Sequence, residues 1–308
     1  MKKETLMFII NPAAGGYTDS VWQDVAIVMK RNEREFSYYM TTCAGDATKK
    51  VQKFVEEGYR HFVAIGGDGT ISEVLNGFML QNVVDYDELT LSAVSYGTGN
   101  DCVRYYGQSP VLEEALQGII TGDVHIQDVG LIHYYENGEH KRKYFINSAG
   151  FGFDAQIIKA TKSMTAKERG HKLTYLYSLL KCLISSKKIP FTVKYDGGCI
   201  SENVLSISVG NGKYTGGGMM QTPDAVNNDG LFDVAVFGDI SKFTVIKNVR
   251  RLYDGTLKQA KESNMYHFRT SELTIEAPVE TICEIDGELI GTGPYKLEVI
   301  KNALRIRI

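Results

Sequence analysis

Two periods of apolar and polar residues run along this chain, and the change from one to the other divides it. From Thr5 to about Leu131, short apolar runs bounded by turn residues alternate with stretches in which apolar residues recur every three or four positions. The runs predict strands at Leu6–Ile10, Phe36–Met40, Phe62–Ile65 and Leu89–Val94, with helices over Asp19–Glu33 and Asp46–Glu57. In the second helix Ala47, Val51, Phe54 and Val55 share one face, and Gly58 supplies a stop. A third helix is predicted from Thr70, because Ile71, Val74, Leu75 and Phe78 keep helical spacing and Thr70 with Glu73 has the form of a capping box. Strands alternating with helices in this way predict a parallel sheet covered by helices.

After Leu131 the texture becomes β-rich, with short runs at Lys143–Ile146, Phe191–Tyr195, Val204–Val209, Phe232–Phe237, Leu273–Ile275 and Tyr295–Val299. The pattern predicts two domains: an α/β layer structure over residues 1–130 and an antiparallel, sandwich-like β domain over 131–308, with a substrate cleft expected between them.

Composition narrows the classes of function. The 308 residues include 34 basic and 37 acidic ones, a net charge of -3, which argues against nucleic acid held by bulk electrostatics. No apolar run reaches the roughly 18 residues of a membrane span and no secretory h-region precedes the first strand, so a cytoplasmic protein is expected. Cys43, Cys102, Cys182, Cys199 and Cys283 are scattered without a CxxC pair, and His61, His125, His133, His140, His171 and His267 show no metal-binding spacing.

The chemistry concentrates in turns. The strand ending at Ile65 runs into Gly66, Gly67, Asp68, Gly69 and Thr70. Glycines let backbone approach a ligand where a Cβ would clash, and a new helix presents unpaired N–H groups, so an anion such as phosphate is the natural guest. A carboxylate among phosphates needs a cation between them, which makes Asp68 a pointer to Mg²⁺. A second small-residue turn, Asn11, Pro12, Ala13, Ala14, Gly15 and Gly16, follows the first strand, and a third, Gly97, Thr98, Gly99, Asn100 and Asp101, follows Val94. In a parallel sheet all three lie at the carboxyl edge, where open α/β sheets bind ligands. Neither GxxxxGK[ST] nor GxGxxG after the first strand is present, so this is neither an ordinary P-loop nor a dinucleotide fingerprint.

The series NPAAGG, GGDGT and GTGND, followed by NSAGFGFD (Asn147–Asp154), NGKYTGGG (Asn211–Gly218), the segment Pro223–Asp233 and Asp286-Gly287-Glu288, resembles the diacylglycerol kinase catalytic family over nearly the whole chain. That family includes bacterial lipid kinases and sphingosine kinases. The resemblance implies an ATP site formed by Asn11, Pro12, Ala13, Ala14 and Gly15, by Thr42 or Thr41, by Gly66, Gly67, Asp68, Gly69 and Thr70 with Glu73, and by Thr98. It implies that Asp68, Asp101 and Asp128 belong to a water-linked network supporting Mg²⁺. A structural magnesium loop is implied at Val226–Leu231, with Asp229 as side-chain ligand and Val226 and Leu231 as carbonyl ligands; Asn228 stands where some bacterial members carry a second Asp.

On its residues alone, Asp286-Gly287 is a hairpin turn. The resemblance implies that the second domain brings this turn over the ATP site, where Glu288 accepts the proton of the lipid hydroxyl and Asp286 helps to position it. The expected activity is transfer of the γ-phosphoryl of ATP to a lipid hydroxyl, diacylglycerol first, with an NAD kinase-like enzyme and a non-catalytic lipid- or nucleotide-binding regulator as alternatives. Leu173, Leu176, Tyr177, Leu180, Leu183 and Ile184 form an apolar stripe flanked by Lys162, Lys167, Arg169, Lys172, Lys181, Lys187 and Lys188, which suits either peripheral membrane contact or a packed amphipathic helix. A homodimer is compatible with the sequence.

Overall fold

The computed structural model describes residues 5–162, 180–260 and 262–308. The chain divides into two compact units, Met1–Val129 with Lys301–Ile308, and Gly130–Ile300.

In the first unit, β1 (Leu6–Ile10), β2 (Phe36–Met40), β3 (His61–Gly66) and β4 (Thr90–Ser95) are parallel, in the order β4-β3-β1-β2. Every residue of β1 is buried, as expected of a parallel strand covered on both faces. On one face Phe8, Ile10, Val63 and Ile65 pack with Val25 and Met29 of α1 (Asp19–Arg31) and with Leu116 and Ile119 of α5 (Leu112–Thr121). On the other lie α2 (Asp46–Glu56) and α3 (Asp68–Leu80), and Phe78 meets Phe62 edge-on at 5.2 Å between ring centres. A Cβ on Gly77 of α3 would stand 2.6 Å from the Val51 Cβ of α2, so glycine there sets how closely these two helices pack. A short helix, α4 (Asp101–Tyr105), follows the turn after β4.

The second unit is built from antiparallel strands. Along one path β12 (Met265–Thr270), β11 (Phe232–Phe237), β10 (Ser206–Gly210), β7 (Ser148–Gly152), β14 (Ile282–Ile285) and β15 (Glu288–Arg307) are neighbours. β15 also pairs with β13 (Glu272–Glu276), which leads to β8 (Ile189–Tyr195) and β9 (Gly198–Val204). β5 (Val124–Glu136) and β6 (Glu139–Phe145) form a hairpin. Their apolar faces enclose one core, in which Phe145, Phe151, Phe191, Phe232, Tyr295 and Leu297 are among the buried residues. The helices α6 (Phe153–Lys162) and α7 (Lys242–Asp254) complete the unit. Among the described residues, no helix is long and apolar enough to cross a membrane.

The structure departs from the sequence pattern in three places. The run Val204–Val209 is broken at Leu205, whose N–H donates to Phe237 O at 2.7 Å and whose carbonyl accepts from Phe153 N, so β9 and β10 are separate strands. The third helix starts at Asp68 and has no side-chain cap; the Thr70–Glu73 capping box does not form, because both side chains have other partners. Lys301–Ile308 belongs with the first unit and not the second: Arg305 and Ile306 pair in parallel with Thr90 and Leu91, and Arg307 O accepts from Ser92 Oγ at 2.6 Å.

Candidate active site

Because β1, β3 and β4 are adjacent and parallel, the three glycine-rich turns emerge side by side at their carboxyl ends. Backbone hydrogen bonds tie them together: Asn11 N donates to Ile65 O at 2.9 Å, Tyr96 N to Gly66 O at 2.7 Å, and Gly16 N to Tyr96 O at 3.1 Å. Asn11 adds two side-chain links, accepting from Ala13 N at 3.0 Å and donating from Nδ2 to the buried Thr70 hydroxyl at 3.2 Å. A Cβ on Gly66 would collide with that hydroxyl, and one on Gly67 would meet Gly97 Cα at 3.0 Å. These glycines are needed for loop-to-loop packing, whereas Gly15 and Gly69 face open space, with no atom within 4 Å of an added Cβ.

Asp68 opens α3, and its Oδ1 accepts from Cys102 N at 3.2 Å, across to the third turn. Burial pushes its carboxyl above the ordinary value, and the N–H groups of Cys102, Asn100 and Asp101 partly offset this. The third turn is shaped by Asn100, in the left-handed region at φ 55, whose Oδ1 accepts from Gly97 N at 2.9 Å. Asp101 is buried and lies 3.7 Å from Arg104 Nε, while Thr98 is exposed.

Other predicted residues are engaged in structural bonds. Glu73 reaches from α3 to α2, where its two oxygens accept from Gly45 N at 2.9 Å and Ala47 N at 3.0 Å. The Thr42 amide and hydroxyl both donate to Asp46 Oδ2, at 2.8 and 3.0 Å, and these bonds hold the Asp46 carboxyl below its ordinary value. Asp128 is buried, and its Oδ1 accepts from Asn302 N at 2.7 Å. Asp229 accepts from Leu231 N at 3.1 Å and is paired with Arg269; Val226 is exposed. Among the described residues, no group of three or more His, Cys, Asp or Glu side chains is placed to hold a metal ion.

In the second unit, Asp286 and Gly287 form a two-residue turn between β14 and β15, with Ile285 opposite Glu288. Both have positive φ, 45 and 80, as a primed hairpin turn requires. The Asp286 carboxylate gathers three backbone donors, Ile146 N at 2.7 Å, Asn147 N at 2.9 Å and Ser148 N at 3.1 Å. Glu284 accepts from Gly287 N at 2.9 Å. Glu288 is half exposed, and its Oε2 lies 2.7 Å from Lys143 Nζ. Lys143 was not among the predicted site residues. It is the last of three consecutive basic residues, Lys141, Arg142 and Lys143, and nothing in the sequence sets it apart from the other two.

Residues 147–308 match the family model described as the YegS C-terminal NAD kinase β-sandwich-like domain, and residues 5–132 match the diacylglycerol kinase catalytic domain. The chain belongs to the YegS and diacylglycerol kinase family. It is 28% identical over 288 residues to a protein of Alcanivorax borkumensis named "Probable lipid kinase YegS-like", covering 91% of this chain and 90% of that one. It is also 28% identical over 297 residues to "Lipid kinase YegS" of Escherichia coli K12, covering 96% and 93%. A diacylglycerol kinase crystal structure from Bacillus anthracis superposes over 100% of this chain and 97% of its own with a TM-score of 0.73, and at 23% identity that likeness speaks for the fold. Within the family, the α/β unit and the sandwich-like unit are the two expected parts. The stretch 163–179, which holds Leu173, Leu176 and Tyr177 of the predicted apolar stripe and its Lys167, Arg169 and Lys172, lies outside the described residues. Of the remainder of the stripe, Leu183 is buried and Ile184 is exposed.

Proposed function

We propose that the chain is an ATP- and Mg²⁺-dependent lipid kinase, transferring the γ-phosphoryl group to a lipid hydroxyl, with diacylglycerol as the first acceptor and phosphatidic acid as product. The observation that carries this reading is the convergence of three glycine-rich turns at the carboxyl edge of β1, β3 and β4, beside the uncapped start of α3. An uncapped helix start and backbone without side chains fit the phosphates of a nucleotide. Asn11, Ala13, Gly15, Gly69 and Thr98 are the residues that would hold them.

The carboxylates fit a metal that arrives with the nucleotide, since they form no cage of their own. Mg²⁺ keeps several waters and binds through few carboxylates plus phosphate oxygens, and Asp68, raised by burial, is the group a cation there would relieve. Asp101 and Asp128 would act through water. When bound, the metal would neutralise charge on the transferring phosphoryl group. A structural cation at Asp229 would have to replace its pairing with Arg269.

Glu288 is the proposed acceptor of the lipid hydroxyl proton. It is accessible, and Lys143 holds it on a turn that Asp286 fixes to the backbone of residues 146–148. Asp286, with its carboxylate committed to three N–H donors, positions the turn. The test is purified protein with labelled ATP and Mg²⁺ against diacylglycerol, monoacylglycerol, a sphingoid base, undecaprenol and NAD. Label in phosphatidic acid is expected. Label only in NADP would favour the NAD kinase-like alternative, and no transfer to any acceptor would favour a non-catalytic binding protein.

A further inference from the structure

A group of opposed charges lies in the second unit where the loop Val226–Leu231 leads into β11. Asp229 is the only carboxylate of that loop. Its two oxygens have different uses. Oδ1 accepts from Leu231 N at 3.1 Å, a bond that closes the loop on itself. Oδ2, the oxygen left to face a cation, accepts from the Arg269 guanidinium.

The sheet delivers Arg269 to this place. It stands in β12 directly opposite Asp233 of β11, and its Nε lies 3.2 Å from Asp233 Oδ2. Asp233 is buried, at 1% exposure, and its Oδ1 lies 3.1 Å from Lys258 Nζ, which also meets Asp224 at 2.7 Å. Two protein cations therefore bridge three carboxylates: Arg269 joins Asp229 to Asp233, and Lys258 joins Asp233 to Asp224. A guanidinium is always charged in a protein, and its planar fork of donors suits a position between two carboxylates.

Similarity to the diacylglycerol kinase family implies a divalent cation at this loop, with Asp229 as its side-chain ligand. The donor set does not fit one. Mg²⁺ or Ca²⁺ would have to stand about 2.0–2.6 Å from the carboxylate oxygen, and Asp229 Oδ2 already holds a guanidinium there. The two positive groups would repel, and Asn228 adds no negative charge to offset them. We propose that in this chain Arg269 takes the place of the structural divalent cation. It ties the loop, through Asp229, to the sheet, through Asp233, and the second unit holds its fold without bound metal. Mg²⁺ then serves the nucleotide alone. Removing the guanidinium would leave two carboxylates, one of them buried, without their shared cation, a deficit that a divalent ion can fill. The proposal concerns the fold of the second unit and holds whether or not the chain phosphorylates a lipid.

The test is thermal unfolding of the full chain, without ATP, in excess EDTA, Mg²⁺ or Ca²⁺. Wild type and Asp229→Asn are expected to respond to the metals alike, with shifts that agree within about 1 °C. Arg269→Met, which keeps an aliphatic stem and loses the charge, should melt lower in EDTA and recover about 3 °C or more when metal is added. Adding Asp229→Asn to Arg269→Met should cancel that recovery. A metal-dependent rise in the wild type that Asp229→Asn removes would overturn the proposal. So would an Arg269→Met variant as indifferent to metal as the wild type. Should Arg269→Met fold poorly, wild-type crystals grown in Mn²⁺ decide the matter: anomalous density beside Asp229 Oδ2 would overturn the proposal, and a guanidinium in that position without such density would support it.

Discussion

Gly67 and Gly97 approach so closely that a Cβ built on Gly97 would lie 2.6 Å from Gly67 Cα. Backbone on both sides leaves nothing soft to move, so Gly97→Ala is expected to cost about 1–3 kcal/mol of stability. Gly15→Ala meets nothing within 4 Å and should leave stability within about 0.5 kcal/mol while weakening ATP binding at least fivefold. Denaturant unfolding and nucleotide titration of the two variants separate packing from ligand approach. Unchanged ATP affinity in Gly15→Ala would remove the first turn from the nucleotide site.

Glu73 serves as a cap for a neighbouring helix. Glu73→Ala strands the N–H groups of Gly45 and Ala47 and should cost about 1–2 kcal/mol, seen as a lower Tm, with Glu73→Gln recovering part of it. Collapse of ATP affinity at unchanged Tm would instead place this carboxylate in direct contact with the nucleotide.

Asp286 and Glu288, two residues apart, should fail differently. Asp286→Ala deprives three backbone donors of their acceptor and is expected to destabilise the second unit by about 2–4 kcal/mol. Glu288→Gln should unfold like the wild type and lose roughly 10²- to 10⁴-fold in kcat, the range for a positioned base. Full turnover in Glu288→Gln would send the search for the proton acceptor elsewhere.

Asp154 makes stability depend on pH in an unusual direction. Its carboxyl is raised by burial from 3.8 to about 6, so between those values the folded protein holds a proton that the unfolded chain has lost. This residue therefore favours folding most below pH 4, and that contribution is lost as pH rises through 6. The expected swing is about 3 kcal/mol at most. Asp154→Asn should abolish this limb and raise Tm at pH 7.5. An identical stability profile from pH 4 to 7 in wild type and variant would show that the carboxyl titrates normally.

The parallel half was legible because strands such as Leu6–Ile10 are buried on both faces and read as unbroken apolar runs. The three turns were legible because glycine composition follows from backbone proximity. What stayed hidden depends on partners distant in sequence. Thr70 and Glu73 carry the right types for a capping box, yet Asn11 and the start of α2 compete for them and win. Lys143 becomes notable only when the hairpin places Glu288 beside it. The end of β15 looked like more of the sandwich because its pairing with β4 has no local signal.

That pairing bears on how the molecule is made. The bond from Ser92 to Arg307 spans 215 positions, and Gly118 and Gly122 also lie against Ile308. During vectorial synthesis the first unit can assemble β1 to β4, but the flank of β4 waits until the whole of Gly130–Ile300 has been translated. Closing so long a loop is slow compared with local pairing. A nascent chain would therefore carry an unpaired strand edge through most of its elongation, and trimming the last few residues would prolong that exposure in the finished protein.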